Sequence, residues 1–238
     1  MESVRIYTGF DQREAVGWHV CLQSVIERTD SLLEVIPLTA QLGRRYGIGT
    51  DGTNAFTKLR FLVPYLCGYR GWALFIDCAD MLLMADVAEL WGMRDSIYDV
   101  LVVKHEYSTK HPVKYLGQPN IDYPCKNWSS VMLMNCGNFP WRKITPEYIS
   151  KATGQHLHRF EFLKPDRIGD LPREWNHLVS EYEENPGAKL AHYTVGIPAW
   201  KRYANAEHAQ SWRAAHKSMN HAEAWEDVPD DTVRVSER

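Results

Sequence analysis

The chain has 238 residues, 45% of them hydrophobic and 24% charged, with a formal net charge of -3. That length suits one large α/β domain; the charge supplies no broad basic footprint for nucleic acid, and no apolar run approaches the roughly 20 residues that cross a bilayer. Five cysteines without CxxC spacing argue against a disulfide framework and a zinc site, and together with an opening that has no secretory h-region they predict a soluble, cytoplasmic protein.

In chain order, VRIYTGF predicts a strand over residues 4–7 ending in a glycine-containing turn, and Asp11 followed by Glu14 offers a capping box for a helix that carries Ala15, Val16, Val20 and Ile26 near one face. SLLEVIPL holds a second strand, GIGTDGTN is a polar loop, and FTKLRFLVPYL reads as helical, with Pro64 bending or ending it. Trp72–Ile76 is the next strand, ADVAELW a short helix and VLVVKH, from Val100, a buried strand. Residues 106–128, with three Pro and three Lys, form a loop long enough to be functional. SSVMLMN resumes the sheet, TPEYISKA starts a helix with Thr145 as N-cap and Pro146 at its first position, and KLAHYT gives a late strand. A polar helix is expected over 204–219, followed by a loosely held tail over 220–238. Strands alternating with helices predict a mainly parallel sheet covered on both faces, with ligands outside the carboxyl ends of its strands.

Asp77 and Asp80 stand at such an end, inside the apolar segment GWALFIDCADMLLMAD. An unpaired buried carboxylate is costly, so each requires a partner. A hard divalent cation such as Mg²⁺ or Mn²⁺ takes carboxylate oxygens, and Mn²⁺ also accepts an imidazole such as His192 in AHYTVGIPAW. The alternative on spacing alone is that one acid caps a helix while the other pairs with an arginine. Gly196, four residues after His192, would let a backbone approach phosphate oxygens closely. GIGTDG matches GxGxxG literally but lies beyond the second strand, and no GxxxxGK[ST] occurs, so the dinucleotide-fold and P-loop readings lose their support.

Four blocks in order, IYTGFDQREA, FTKLRF, ALFIDCADMLLMADVAELW and HYTVGIPAW, resemble the retaining glycosyltransferases of family eight, and NWSSVMLMN and LPREWN are also similar to that group. The resemblance covers about residues 4–203 and implies a single GT-A (Rossmann-like) α/β domain with a mainly parallel central sheet flanked by helices, leaving 204–238 as a C-terminal helix and tail. It implies a metal-dependent transferase moving a sugar from a nucleotide-diphosphate sugar, a UDP-sugar first among them, to a glycan or other hydroxyl acceptor with retention. By the same resemblance Thr8, Gly9 and Asp11 hold the base and ribose. Arg60 reaches the donor sugar and diphosphate, its guanidinium snorkelling out of an apolar helix face. Asp77, Asp80 and His192 bind Mn²⁺ or Mg²⁺, with Asp80 and Arg60 the catalytic pair.

The chain departs from that pattern in places. D-C-A-D stands where DxD is usual, so Asp80 is expected to contribute more than Asp77. Ala199 stands where a phosphate-binding lysine is common, with Lys201 as a substitute, and Ser129 and Ser130 follow Trp128 where Asn-Ala-Gly usually lines the donor sugar. Trp128, Trp175, Asn176 and the 106–128 loop are acceptor-side candidates, and Lys104 and His105 either point into the site or pair on the loop. Two other readings stay open: a nucleotide- or glycan-binding homologue without activity, and a sugar-nucleotidyltransferase, although TGFDQRE lacks the Gly-rich basic loop of the latter.

Overall fold

A computed structural model of the chain describes residues 3–49, 54–114 and 117–221. The predicted 220–238 tail, apart from residues 220 and 221, and the second half of GIGTDG lie outside the described residues. The central sheet is built from β1 (Val4–Gly9), β2 (Leu33–Leu38), β3 (Trp72–Ile76), β5 (Val100–Val102), β6 (Val131–Asn135) and β7 (Ile168–Asp170) in the order β2-β1-β3-β6-β5-β7. The pairs β1–β2, β1–β3 and β5–β7 are parallel, whereas β6 runs antiparallel to both β3 and β5. This is the mainly parallel α/β sheet expected, with one reversed strand.

Residues along each strand alternate between two cores, as a two-residue side-chain period requires. Ala73 and Phe75 pack with Tyr7, Val102, Met132 and Trp141 on one face, while Leu74 and Ile76 pack with Ile6, Leu101, Leu133 and Trp175 on the other. Both faces are covered, which is why WALFI and VMLMN are continuous apolar runs. On the second face α1 (Ala15–Ile26) lies with Gly17, Val20, Cys21, Ser24 and Val25 inward. Ile26, expected on that stripe, is 59% exposed at the helix end. Helix α7 (Ala209–Met219), shorter than the predicted 204–219, joins a third cluster through Trp212 and Ala215 against Val20 and Ala191.

The capping box is not formed. Asp11 accepts from the Arg13 amide at the head of a short 3-10 turn, and the Glu14 side chain makes no cap bond to α1. Pro64 begins α3 (Val63–Leu66) rather than ending a helix, since the first turn has no use for its missing N–H. Thr145 caps α5 (Pro146–Lys151) through the Tyr148 amide as expected. A second sheet, β4-β9-β8, joins β4 (Met81–Leu83), β8 (His177–Leu178) and β9 (Leu190–His192). Its antiparallel pairing sets Met81 opposite His192, and the Tyr193 amide donates to the Asp80 carbonyl at 2.8 Å. That ladder brings two residues more than a hundred positions apart in sequence to the carboxyl end of β3.

Candidate active site

The D-C-A-D segment leaves β3 through a one-residue reversal. The Ala79 amide donates to the Asp77 carbonyl at 2.8 Å across Cys78, whose φ is 67°. An i to i+2 bond about a residue with positive φ is a γ-turn, a rare and strained conformation. It absorbs the additional residue of the motif and lets both acids face the same space. Helix α1 backs the turn closely: a Cβ on Gly17 would lie 1.9 Å from the Ala79 carbonyl oxygen.

One oxygen or nitrogen each of Asp77, Asp80 and His192 lies within 4.8 Å of the others. The side chains are 13%, 16% and 3% exposed. The His192 Nδ1–H donates to Asn176 Oδ1 at 2.9 Å, while Asn176 Nδ2 donates to Ser130 Oγ at 2.8 Å. These partners fix the amide orientation and keep the Nδ1 proton in place, so Nε2, 3.3 Å from Asp80 Oδ2, is the ring atom that would offer its lone pair to a cation once it sheds any proton it shares with Asp80. Asp80 Oδ1 is buried with no hydrogen-bond donor among the described residues. Asp77 Oδ1 approaches Arg60 Nη1 at 2.7 Å as an ion pair but outside hydrogen-bonding angles, so it too lacks a donor. Orphaned carboxylate oxygens beside an imidazole lone pair are a donor set that fits Mn²⁺ or Mg²⁺.

The two acids have different proton affinities. Burial pushes the Asp77 carboxyl up to about 6, against the Arg60 charge and with the Asp80 charge adding to the rise. Burial also works against charge on Asp80, but a protonated His192 donating to it, together with the Lys114 charge, outweighs this and holds its carboxyl below the ordinary value.

Arg60 does not snorkel. It is 5% exposed, stacked between the rings of Phe56 and Phe75 at 5.4 and 5.0 Å, with Nε donating to the Thr57 carbonyl and Nη1 to the Ser129 carbonyl. The arginine partner foreseen for one acid and a donor set suited to a cation therefore coexist at Asp77.

These groups form one wall of a cavity of about 320 Å³. Ser129, Ser130 and His158 line it beside Arg60; Asn54 and Thr57 line another side, and Lys114, Asn120, Ile121, Tyr123 and Lys126 come from the 106–128 loop. Ser129 Oγ and His158 Nδ1 lie 2.7 Å apart, and burial, with a contribution from Arg60, drops the His158 pKa to about 3, so its imidazole is neutral near pH 7. The loop is pinned by buried Glu181, which accepts from the Thr109 hydroxyl and the Lys110 amide.

Thr8, Gly9, Asp11, Gly196 and Lys201 do not line this cavity among the described residues. Thr8 is buried and accepts from Trp18 Nε1, and Gly9 lies against the Phe56 ring. Asp11 uses its carboxylate on Arg13 and on the Ala55 amide, which tethers the segment carrying Asn54 and Thr57; the Arg13 contact holds its carboxyl down at about 2. The close approach that Gly196 permits is that of the Tyr203 ring, and Lys201 is exposed in a 3-10 turn. Trp175 is buried in the core, Trp128 Nε1 donates to the His105 carbonyl, Lys104 pairs with Asp170, and His105 bonds to the Tyr182 hydroxyl. Lys114, Lys126 and His158 were not singled out from sequence. Only the loop's length and lysine content pointed to the first two.

No family model matches the chain. Solved structures with similar folds are GT-A glycosyltransferases. They include the bifunctional glycosyltransferase WbbM (14% identity, TM-score 0.64, 94% of this chain) and the galactosyltransferase LgtC (12% identity, TM-score 0.59, 94% of this chain and 99% of that one). Mouse xyloside xylosyltransferase 1 is also similar (11% identity, TM-score 0.52, 83% of this chain and 100% of that one). The chain spans about half the length of WbbM, at 50%. With 36% identity over 218 residues, covering 87% of this chain and 84% of the relative, the chain belongs to the family of Protein CDI from Arabidopsis thaliana, on a GT-A glycosyltransferase fold.

Proposed function

We propose that the chain is a metal-dependent glycosyltransferase that moves a sugar from a nucleotide-diphosphate sugar, most simply a UDP-sugar, to a hydroxyl acceptor with retention. The observation that carries this reading is the convergence of Asp77, Asp80 and a tautomer-fixed His192, with orphaned carboxylate oxygens, on a cavity in a GT-A fold. Asp80 and His192 Nε2 are the principal ligands, because the Arg60 ion pair already engages Asp77. Mn²⁺ or Mg²⁺ bound there supplies Lewis-acid stabilisation of the charge that develops on the departing diphosphate.

The remaining work falls to protein groups. Lys114 and Lys126, the latter ion-paired to Asp122, put two cations on the cavity lining, where a diphosphate meets both. Arg60 holds Asp77 in place and leaves its Nη2, which enters none of the contacts above, for the donor. Ser129, Ser130 and the neutral His158 offer hydroxyl and imidazole partners to sugar hydroxyls. Ile121 and Tyr123, 71% and 45% exposed on the cavity rim, give an acceptor ring an apolar surface, a role better suited to them than to buried Trp175. No carboxylate stands opposite the acids as a covalent nucleophile among the described lining residues, which suits a front-face displacement in which the departing phosphate takes the acceptor proton.

A thermal-shift panel of nucleotide sugars with and without Mn²⁺, followed by an assay of nucleotide release, tests the reading. A UDP-sugar should raise the melting temperature only with the metal, and Asp80→Ala or His192→Ala should abolish release while leaving the circular dichroism spectrum intact. Mn²⁺-dependent release by Asp80→Ala would sink the assignment. The Arg60–Asp77 ion pair favours one second reading, a nucleotide-binding homologue without turnover, and the same panel identifies it as metal-dependent stabilisation without nucleotide release.

A further inference from the structure

A second group of ligating atoms lies apart from the cavity. One atom each of His177, Glu207 and His208 falls within 4.8 Å of the others. His177 belongs to β8, while Glu207 and His208 immediately precede α7. Side chains alternate along a strand, and Leu178, not His177, is the ladder neighbour of His192, so His177 projects from the opposite face of the β8–β9 ladder to His192. The group is therefore separate from the Asp77, Asp80 and His192 constellation, and the inference does not depend on the transferase reading.

The three side chains are 2%, 11% and 14% exposed. Glu207 Oε2 lies 2.8 Å from His177 Nε2, and Glu207 Oε1 accepts from the Asn185 amide at 2.6 Å, which orients the carboxylate. His208 Nε2 is 3.0 Å from Glu207 Oε1, yet it is buried without a hydrogen bond among the described residues. A ring nitrogen that close to a carboxylate oxygen, in the wrong orientation to donate, is placed as two ligands of one ion are placed. His208 also holds a left-handed backbone, φ 58° and ψ 12°, a conformation that costs a non-glycine residue on the order of 1 kcal/mol or more and persists where its surroundings enforce it. A side cavity lined by His177, Asn185, Tyr182 and Glu181 adjoins the group and offers a route for an ion and a water ligand.

We propose that His177, Glu207 and His208 form a second metal site, for Zn²⁺ or a similar first-row transition ion rather than Mg²⁺ or Ca²⁺. Two imidazoles and one carboxylate are the borderline donors that suit such ions, and three protein ligands leave a fourth position for water from the side cavity. The ion replaces whatever proton the imidazoles share with Glu207 and releases it to solvent. Once bound, it clips β8 to the segment leading into α7, and so links the strand next to the His192 support, Asn176, to the C-terminal helix.

The test uses the full chain, stripped with chelator, in an Asp80→Asn background that weakens the first site, with Zn²⁺ alone as probe. Equilibrium dialysis should give one tightly held Zn²⁺ per chain, and zinc-edge X-ray absorption should show two imidazoles in its shell. Adding His208→Asn, chosen because asparagine tolerates the left-handed backbone, or Glu207→Gln should weaken Zn²⁺ by at least about tenfold. In the otherwise native chain the same two substitutions should leave Mn²⁺ affinity within twofold. Absence of bound Zn²⁺ in the Asp80→Asn chain, a shell with fewer than two imidazoles, or Zn²⁺ affinity indifferent to both substitutions overturns the proposal. The spectroscopic reading on the Asp80→Asn chain decides the matter even if a ligand variant does not fold.

Discussion

Replacing Arg60 by Lys should destabilise the protein in the absence of any ligand. The guanidinium makes two hydrogen bonds to carbonyls, from Nε to Thr57 at 3.1 Å and from Nη1 to Ser129 at 2.9 Å, an ion pair to Asp77 and stacking on two phenylalanine rings. A lysine ammonium can retain the ion pair but cannot reach both carbonyls from one point, nor stack as a plane. With roughly 1.5–3 kcal/mol for a hydrogen bond to a charged group and up to about 2 kcal/mol for a desolvated cation–π contact, a loss of about 2–4 kcal/mol is expected. For a chain of this size that lowers the melting temperature by about 5–15 °C. Arg60→Met goes further, because it leaves Asp77 buried without its countercharge. The Asp77 carboxyl already sits at about 6 in the folded chain, above its ordinary 3.8, so the folded state holds the extra proton and this group's contribution to stability is lost as pH rises from about 4 through 6. Without Arg60 that window extends upward, so Arg60→Met should lie closer to wild type at pH 5 than at pH 7.5. Calorimetric melts at the two pH values are the assay. An Arg60→Lys melting temperature within about 2 °C of wild type, or an Arg60→Met deficit equal at both pH values, would refute the argument from burial.

Because a cation must displace the Asp77 proton, Mn²⁺ affinity measured by electron paramagnetic resonance should rise up to about tenfold per pH unit below about 6 and level off above it, and Asp77→Asn should flatten the profile; a pH-independent wild-type affinity rules this out. Asn176→Ala removes the acceptor that fixes the His192 tautomer and should weaken Mn²⁺ by roughly 10–100-fold, whereas an unchanged titration would show that the ring needs no such support. Gly17→Ala drives a methyl group into the Ala79 carbonyl, so a loss of about 1–3 kcal/mol in denaturant melts is expected together with weaker Mn²⁺ binding, and full stability with native metal affinity would mean that the turn can move freely.

Strands whose both faces are buried announced themselves: WALFI and VMLMN are apolar throughout and were placed to within a residue or two. So did Thr145, because cap chemistry is local. Strands β7 and β8, of three and two residues, carry too little periodicity to be seen, and β8 is the one that positions His177 beside Ala191. The acids and His192 were legible as residue types suited to a cation. Asn176 was visible only as a polar residue beside a tryptophan, since its role comes from a 16-residue separation closed by the β8–β9 pairing. Thr8, Gly9 and Asp11 illustrate the converse: the turn is where the sequence suggested, but Thr8 accepts from Trp18, the Gly9 backbone lies against the Phe56 ring and Asp11 accepts from the Ala55 amide, and none of the three lines the cavity.

The D-C-A-D spacing shows why a count of residues between two acids is a poor guide to their separation. In an extended segment, residues three apart project to opposite faces, and Asp77 and Asp80 would diverge. The γ-turn at Cys78 removes that alternation by reversing the chain within one residue, and the Asp80 carbonyl is then held by the Tyr193 amide, next to His192. The turn can be so tight only because α1 presents no side chain at Gly17, where the Ala79 carbonyl oxygen occupies the place of a Cβ. Three features distant in sequence, a helix glycine, a cysteine with positive φ and the β4–β9 register, thus jointly set the distance between two carboxylates. A change at any of them should act on the proposed cation site without touching one of its candidate ligands.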